Sequence, residues 1–309
     1  NNQRNNELEF TPTFGTQQLN SDSNGVYFQG EKMTKSTNQA KNNICFNDRD
    51  FFGSRYRCLL MTHLGKARLY ERLNTLCKHP NVAISFDPQK DNYLPQGFCQ
   101  PSEQMLTNLI DETIGKVLTE EKQLDLWNWW LEAGNRGTST PTWDLISTCN
   151  IDNCRGLLLV EAKAYNGENS PAGKTNDSRT NIKNHEKIKG AIEQACDALD
   201  KITKLTWGIQ RDSYYQLSNR FAWAWKLASL GVPVVLLYLG FLNAEDMQDK
   251  GKEIYQNQAD LLSEFQGDDI TRIVPFEAWE KPLGVNDTAG NKTLFIPLLR
   301  GLNCNVSLS

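Results

Sequence analysis

The chain has 309 residues, of which 39% are hydrophobic and 23% are charged, and its formal net charge is −4. This length and composition are typical of a globular protein with one large α/β domain, or with a core and appendages. The charge excludes a general attraction to nucleic acid, so binding of that kind must depend on local basic patches. No apolar run approaches the roughly 18 residues of a membrane span, and the N-terminal segment lacks a signal-like stretch. We therefore expect a cytoplasmic protein with no membrane partner.

The first part of the sequence divides into a tail and an extension. Residues 1–43 are rich in Asn, Gln, Ser and Thr and show little periodicity, which predicts a flexible tail. Residues 44–98 predict an extension packed on the core, mainly helical from Leu59 onward and closed by Pro80. The sequence "NVAISFD" then predicts a strand.

Residues 99–309 predict an α/β core in which helices flank a central mixed β-sheet, with a helical appendage at the C-terminal end. The predicted elements, in chain order, are a helix at 103–117, a helix at 120–133, a hairpin at 140–165, helices at 181–202 and 213–230, a buried strand at 232–242, and a helix at 244–265. A mixed segment follows the last helix.

The second strand of the hairpin ends in two charged side chains. Residues 157–160 are continuously apolar, and Glu161 and Lys163 follow them on one face of the strand. Leaving such groups buried and unpaired costs several kcal/mol, so a partner must offset that cost. If Ile151 pairs with Gly156 across a four-residue turn, Asp144 lies opposite Lys163 and diagonal to Glu161.

Two carboxylates and an amine at one point form a site for a hard cation. Mg²⁺ takes oxygen ligands, keeps several waters, and binds through one or two carboxylates together with substrate phosphate. Such an ion activates water and stabilises charge on a transferring phosphoryl group, while the amine orients or deprotonates the nucleophile. The hairpin therefore predicts phosphoryl chemistry.

Pro141 and Asp144, followed by Glu161-Ala162-Lys163 at the end of an apolar strand, resemble the PD-(D/E)XK nuclease superfamily. This superfamily includes many restriction endonucleases, and its core is a helix, a three-stranded meander, a helix and a strand. The resemblance covers residues 100–242. Two residues separate Pro141 from Asp144, so the literal Pro-Asp pair is absent.

The resemblance implies a restriction-endonuclease-like fold and cleavage of phosphodiester bonds with Mg²⁺, for which Mn²⁺ can substitute. It implies that Asp144 and Glu161 bind the metal and that Lys163 is the catalytic lysine. The expected function is a DNA endonuclease, with nucleic acid as the partner and a homodimer as one compatible state. A catalytically inactive nucleic-acid-binding module of the same fold is the alternative. A surface ion pair without a catalytic role, worth under about 1 kcal/mol, is a third.

Two further residues are candidates because members of the superfamily place similar groups beside the site. An acid often comes from the helix before the meander, and Glu103 is favoured over Glu121 and Glu132 because it opens the predicted helix. Gln216 on the helix at 213–230 matches the glutamine or lysine that many members carry. Further polar or aromatic residues predicted on the same side of that helix are Asn219, Arg220 and Trp223, opposite a packing face that includes Phe221.

Two other features bear on partners and compartment. Residues 174–226 hold ten Lys or Arg against six Asp or Glu, a surplus of four that predicts a surface for the phosphate backbone. The eight cysteines are scattered, and only Cys149 and Cys154 lie close together. We expect reduced thiols there, with a zinc site or a disulfide across the hairpin as the alternatives.

Overall fold

The structure is a computed structural model, and it describes only part of the chain. The described residues are 9–10, 19–22, 25–28, 52–106, 117–132, 140–174 and 182–304. The helices are α1 (Gly53–His63), α2 (Lys66–Leu76), α3 (Glu120–Trp130), α4 (Ile182–Thr203), α5 (Tyr215–Ser229), α6 (Glu245–Gln248), α7 (Gln258–Gln266) and α8 (Asp268–Thr271). The strands are β1 (Glu9–Phe10), β2 (Leu19–Asp22), β3 (Gly25–Phe28), β4 (Ile84–Ser85), β5 (Tyr93–Leu94), β6 (Gln104–Met105), β7 (Thr142–Trp143), β8 (Leu145–Ile151), β9 (Cys154–Lys163), β10 (Val234–Leu242), β11 (Leu283–Asn286) and β12 (Lys292–Cys304).

A central mixed sheet organises the fold, as the sequence predicted. Its strand order is β1-β12-β10-β9-β8-β4, with β11 beside β12 and β5 beside β8. β8 runs antiparallel to β9, whereas β10 runs parallel to both β9 and β12. Helices cover the sheet, so the prediction of an α/β protein with a helix-flanked mixed sheet is confirmed.

The two faces of the sheet are covered by different helices because side chains alternate along each strand. Leu157 and Leu159 of β9 belong to one hydrophobic cluster together with residues of α4 and α5. Leu158 and Val160 belong to a second cluster together with residues of α1 and α2. Strands β9 and β10 are thus covered on both faces, which accounts for their continuous apolar sequences.

The hairpin has a tighter turn than the sequence predicted. Ile151 pairs with Cys154, and the turn contains only Asp152 and Asn153, whose φ angles are 46° and 67°. Asp and Asn tolerate the positive φ that both central positions of this two-residue turn require. The pairing therefore moves by two residues, and extending it places Asp144 opposite Glu161 rather than opposite Lys163. A shift of two residues keeps every side chain on its predicted face.

Within the predicted N-terminal extension, 44–98, helices α1 and α2 pack against the sheet. Helix α1 starts at residue 53, six residues before the predicted helical stretch, and Gly65 with a φ of 86° separates it from α2. Only Ile84–Ser85 of the predicted strand pairs with β8. Of the predicted flexible tail, 1–43, the structure describes strands β1, β2 and β3. The remainder of the tail lies outside the described residues.

Three other predicted elements differ from the structure. The helix predicted at 103–117 is wrong at its start, because Gln104–Met105 pairs with β7, and 107–116 lie outside the described residues. The helix predicted at 244–265 is interrupted after α6, where Gly251 has a φ of 74° that ends helices. The predicted helical appendage is wrong at its end, because β12 lies inside the sheet between β1 and β10. Among the described residues, no helix has the length and apolar character needed to cross a membrane.

Candidate active site

A pocket of about 290 Å³ opens where β9 ends, beside α5 and the start of α1. All five site residues predicted from the sequence line it, namely Asp144, Glu161, Lys163, Glu103 and Gln216. Because β9 and β10 are parallel, their carboxyl ends meet at this edge of the sheet. That edge is the usual position of ligand sites in open α/β sheets.

Glu161 and Lys163 form a buried ion pair on one face of β9. The Lys163 ammonium donates to Oε1 of Glu161 over 2.6 Å, and the two side chains are only 4% and 2% exposed. Charges this deep are tolerated when they are paired and hydrogen-bonded. The pair therefore offsets part of the cost of ending an apolar strand in charges.

Arg220 of α5 is a second cation bound to Glu161. The sequence predicted that Arg220 lies on the same side of the helix as Gln216, but it did not predict this ion pair. Nε of Arg220 donates to Oε2 of Glu161 over 2.6 Å, and its Nη2 donates to the backbone oxygen of Thr142 over 2.6 Å. The guanidinium also lies 4.6 Å from the ring centroid of Trp143. Both oxygens of Glu161 are thus bound by cations, and Arg220 ties α5 to β7 as well as to β9.

The same contacts keep the Glu161–Lys163 pair ionised. Burial raises the pKa of Glu161, but attraction to Arg220 and Lys163 outweighs it and holds this pKa below its usual range. For Lys163, burial lowers the pKa, and the attraction of Glu161 and Glu168 outweighs it and raises this pKa above its usual range. Near neutral pH both side chains are therefore charged.

Asp144 lies beside this cluster in a different electrostatic situation. Its Oδ2 accepts a hydrogen bond from the backbone N–H of Ala162 over 2.8 Å, and the described residues supply no cation that is hydrogen-bonded to it. Removal from solvent, reinforced by the charge of Glu161, raises the pKa of Asp144 to about 8. Burial and the charge of Glu161 outweigh the opposing charge of Lys163, so the charged form of Asp144 is disfavoured, unlike that of Glu161.

Gln216 is close to Lys163, as the sequence predicted. Its Oε1 accepts a hydrogen bond from the Lys163 ammonium over 2.9 Å. Lys163 is therefore held between a carboxylate on its own strand and an amide on the first turn of α5. The same helix departs from the prediction at Trp223, which is fully buried against Trp129 and Trp130 instead of facing the pocket.

Glu103 lines the pocket from the segment before β6 instead of from the start of a helix. Its Oε1 accepts from Nη1 of Arg55 over 2.6 Å, and its Oε2 accepts from Oγ1 of Thr142 over 3.0 Å. The competing acids, Glu121 and Glu132, do not line the pocket. Arg55 belongs to the first turn of α1, a region that the sequence-based resemblance does not cover.

Glu168 is a further acid of the pocket, and it was not predicted from the sequence. Its Oε2 accepts from the backbone N–H of Ala164 over 2.6 Å, and its Oε1 accepts from Oγ of Ser54 over 2.8 Å. Burial raises the pKa of Glu168 above its usual range, opposed by the charge of Lys163. Its position five residues after Lys163, in a loop, carries no periodic signal that would have singled it out.

The donor set fits the predicted Mg²⁺ only in part. Within the described ranges, no group of three or more His, Cys, Asp or Glu side chains is arranged to hold a metal ion. Mg²⁺ needs only one or two carboxylates because it keeps several waters. Asp144 fits, since it lines the pocket, and a cation bound there would counter the burial and the charge of Glu161 that raise its pKa. Glu161 fits once Lys163 or Arg220 releases one of its oxygens.

The basic surface predicted at 174–226 is partly neutralised by neighbouring acids. Arg211 forms ion pairs with Glu186 over 2.8 Å and with Asp212 over 2.7 Å. Arg220 is buried in the pocket wall and paired with Glu161, so it does not contribute to an exposed basic surface. Glu186 and Asp212 are already subtracted in the surplus of four. Of these ion pairs, only the one between buried Arg220 and Glu161, which lies outside this region, therefore lowers the positive charge that the region presents to a partner.

Comparison of the chain with protein-family models, with curated proteins and with solved structures found no match in any of the three. The function is therefore argued from the pocket and its residues.

Proposed function

We propose that the protein is a Mg²⁺-dependent nuclease that hydrolyses phosphodiester bonds in nucleic acid, and specifically a DNA endonuclease. The observation that carries this proposal is the convergence of Asp144, Glu161 and Lys163 in one pocket at the carboxyl end of β9. These are the residue types that the resemblance to the PD-(D/E)XK superfamily assigns to cleavage. Glu103 and Gln216 line the same pocket.

Each of these side chains has a distinct chemical task in the proposed reaction. Asp144 and Glu161 would hold Mg²⁺, which when bound supplies a Lewis acid for the phosphoryl oxygens and for water. The raised pKa of Lys163 keeps its amine protonated near neutral pH, so it would orient water or a phosphoryl oxygen by donating hydrogen bonds. Gln216 fixes the direction of the Lys163 ammonium.

A second candidate is an inactive nucleic-acid-binding module of the same fold. One observation favours it: both oxygens of Glu161 are already bound by Lys163 and Arg220, and this arrangement competes with a metal ion. The two candidates differ in one outcome, because the module binds nucleic acid without cleaving it.

The test uses supercoiled plasmid, linear duplex, single-stranded DNA and RNA, each incubated with Mg²⁺, with Mn²⁺ or with EDTA. The proposal predicts that plasmid is nicked or linearised with either ion and is intact in EDTA. Binding of these nucleic acids without cleavage of any of them would support the inactive module instead.

The proposal also includes a cellular compartment and an oligomeric state. We place the protein in the cytoplasm, because a reducing compartment preserves free thiols such as those of buried Cys77 and Cys149. The homodimer expected from the sequence stays a prediction, which sedimentation of the full chain would test.

A further inference from the structure

The mouth of the pocket is built by three segments that are distant in sequence. We define it by residues 52–55, 165–168 and 247–252. The first includes the start of α1, the second follows β9, and the third follows α6. Phe52, Tyr165 and Met247 line the pocket from these segments, next to the acids and Lys163.

Two half-buried aromatic rings at the mouth each form a cation–π contact with a lysine. The Lys250 ammonium lies 4.1 Å from the ring centroid of Phe52, and the Lys252 ammonium lies 5.1 Å from that of Tyr165. Gly251 lies between the lysines with a φ of 74°, a conformation that glycine adopts without strain. Both lysines are exposed, so their stems are free to move.

Hydrogen bonds fix the backbone of the mouth on both sides of the lysines. Asp246 accepts from the backbone N–H of Gly53 over 2.8 Å and from Nη2 of Arg57 over 2.5 Å, which joins α6 to α1. The backbone N–H of Asn166 donates to the oxygen of Glu253 over 2.7 Å, which joins the β9 loop to the lysine turn. The rings are therefore held in a preformed frame, and the charge of Asp246 is neutralised by Arg57.

We propose that the mouth binds single-stranded DNA and leads one strand into the pocket, so that the substrate is cut at an unpaired segment. This inference rests on the proposed nuclease function of the pocket. Unpaired bases expose their faces and can stack on Phe52 and Tyr165, whereas bases of a duplex are already stacked and paired. Lys250 and Lys252 contact the phosphates. A cation–π contact at an exposed site is weak, so each ammonium can leave its ring for a phosphate and uncover the face.

The test measures binding in EDTA, where no cleavage complicates it, with a fluorescent 20-nucleotide single strand and the corresponding duplex. We expect the parent to prefer the single strand. Lys250→Gln with Lys252→Gln should weaken that binding and reduce the slope of log K against log salt by about 1.4, since each phosphate contact contributes about 0.7 on single strands. Phe52→Leu or Tyr165→Leu should weaken it about tenfold or more through lost stacking.

The matched control is Lys187→Gln with Lys189→Gln, which removes the same charge from α4, away from the pocket lining. The proposal predicts parental binding for this control. It is overturned if the control weakens binding as much as the mouth variant, if the mouth variant binds with the parental slope, or if duplex or single-stranded RNA binds more tightly than single-stranded DNA. Thermal melting of each variant separates lost binding from lost folding, and the two exposed lysines keep the test valid if an aromatic variant does not fold.

The outcomes also separate this inference from the proposed function. Single-strand binding that depends on the two lysines, without Mg²⁺-dependent cleavage of any substrate, supports the inference and refutes the nuclease. Mg²⁺-dependent cleavage with single-strand binding that ignores the two lysines supports the nuclease and refutes the inference.

Discussion

Nε of Arg220 lies 2.6 Å from Oε2 of Glu161, and this contact joins helix α5 to the charged end of strand β9. The guanidinium is 5% exposed and the carboxylate 2%, so solvent does little to screen the pair. Removing one partner of such a pair leaves an uncompensated buried charge. The contact therefore links the stability of the fold to the geometry of the pocket.

We expect Arg220→Met to lower the free energy of unfolding by about 3–5 kcal/mol, because Glu161 keeps only Lys163 as a partner. Chemical denaturation followed by far-UV circular dichroism measures the change. The control is Arg272→Met, which removes an exposed arginine paired with Asp269 and should cost less than about 1 kcal/mol. Equal losses in the two variants would show that the Arg220 contact has no special energetic role.

Glu161→Gln should be destabilising for the same reason, because it leaves two buried cations without their carboxylate. The lowered pKa of Glu161 means that its contribution is present above the pKa of the unfolded chain and is lost as pH falls through the folded value. The difference in melting temperature between parent and variant should therefore be large at neutral pH and shrink below about pH 4. A difference that stays constant down to pH 3 or so would contradict this cause.

Asp144→Asn should behave in the opposite way. Between about pH 4, where an unfolded Asp titrates, and about pH 8, where folded Asp144 titrates, only the folded state keeps the proton. The unfolded state then binds fewer protons, so the stability of the parent falls as pH rises through this window. The variant should match or exceed the parent in melting temperature, by a margin that grows toward pH 8. Asp197→Asn, an exposed change on α4, should show no such margin, and a variant that melts below the parent at pH 8 would refute the assignment.

Gln216→Ala should reduce cleavage about tenfold with little change in stability, since it removes one hydrogen bond to a charged group from an exposed side chain. Comparing kcat with KM identifies the cause. Misdirection of Lys163 lowers kcat, whereas loss of a substrate contact raises KM. Gln216→Glu, which retains an acceptor oxygen, should recover part of the activity if the contact with Lys163 is what matters. Parental kcat in Gln216→Ala would remove Gln216 from the site.

The sequence predicted the parts of the fold that depend on local pattern. The amphipathic spacing of α4 and α5, the apolar run of β10 and the charges after Val160 all lie within short stretches. Their places in the structure agree with those patterns. The site residues on the hairpin could also be predicted from the sequence, because alternation along a strand determines which side chains share a face.

What the sequence did not predict depends on contacts between distant residues. Ser54 reaches Glu168 across 114 positions, and Arg57 reaches Asp246 across 189. No local pattern encodes such pairs, so the contribution of α1 to the pocket was missed. The two-residue turn at Asp152 and Asn153 was predicted wrongly as a four-residue turn, because the two pairings differ by two residues and put every side chain on the same face. Strand β12 was missed because its apolar run is interrupted by Pro297 and Arg300.

The central claim is that Asp144 is a metal-binding residue of a nuclease, and plasmid cleavage by Asp144→Asn tests it most directly. The substitution keeps the size of the side chain, prevents it from ionising to the carboxylate that Mg²⁺ needs, and is expected to leave the fold intact. Parent and the Asp197→Asn control should nick supercoiled plasmid with Mg²⁺ and leave it intact in EDTA. Asp144→Asn, at an equal or higher melting temperature, should cleave at least a hundredfold more slowly, on the order of the loss from removing one transition-state contact. A folded Asp144→Asn protein that cleaves at the parental rate, or a parent that cleaves nothing with Mg²⁺ or Mn²⁺, would contradict the account.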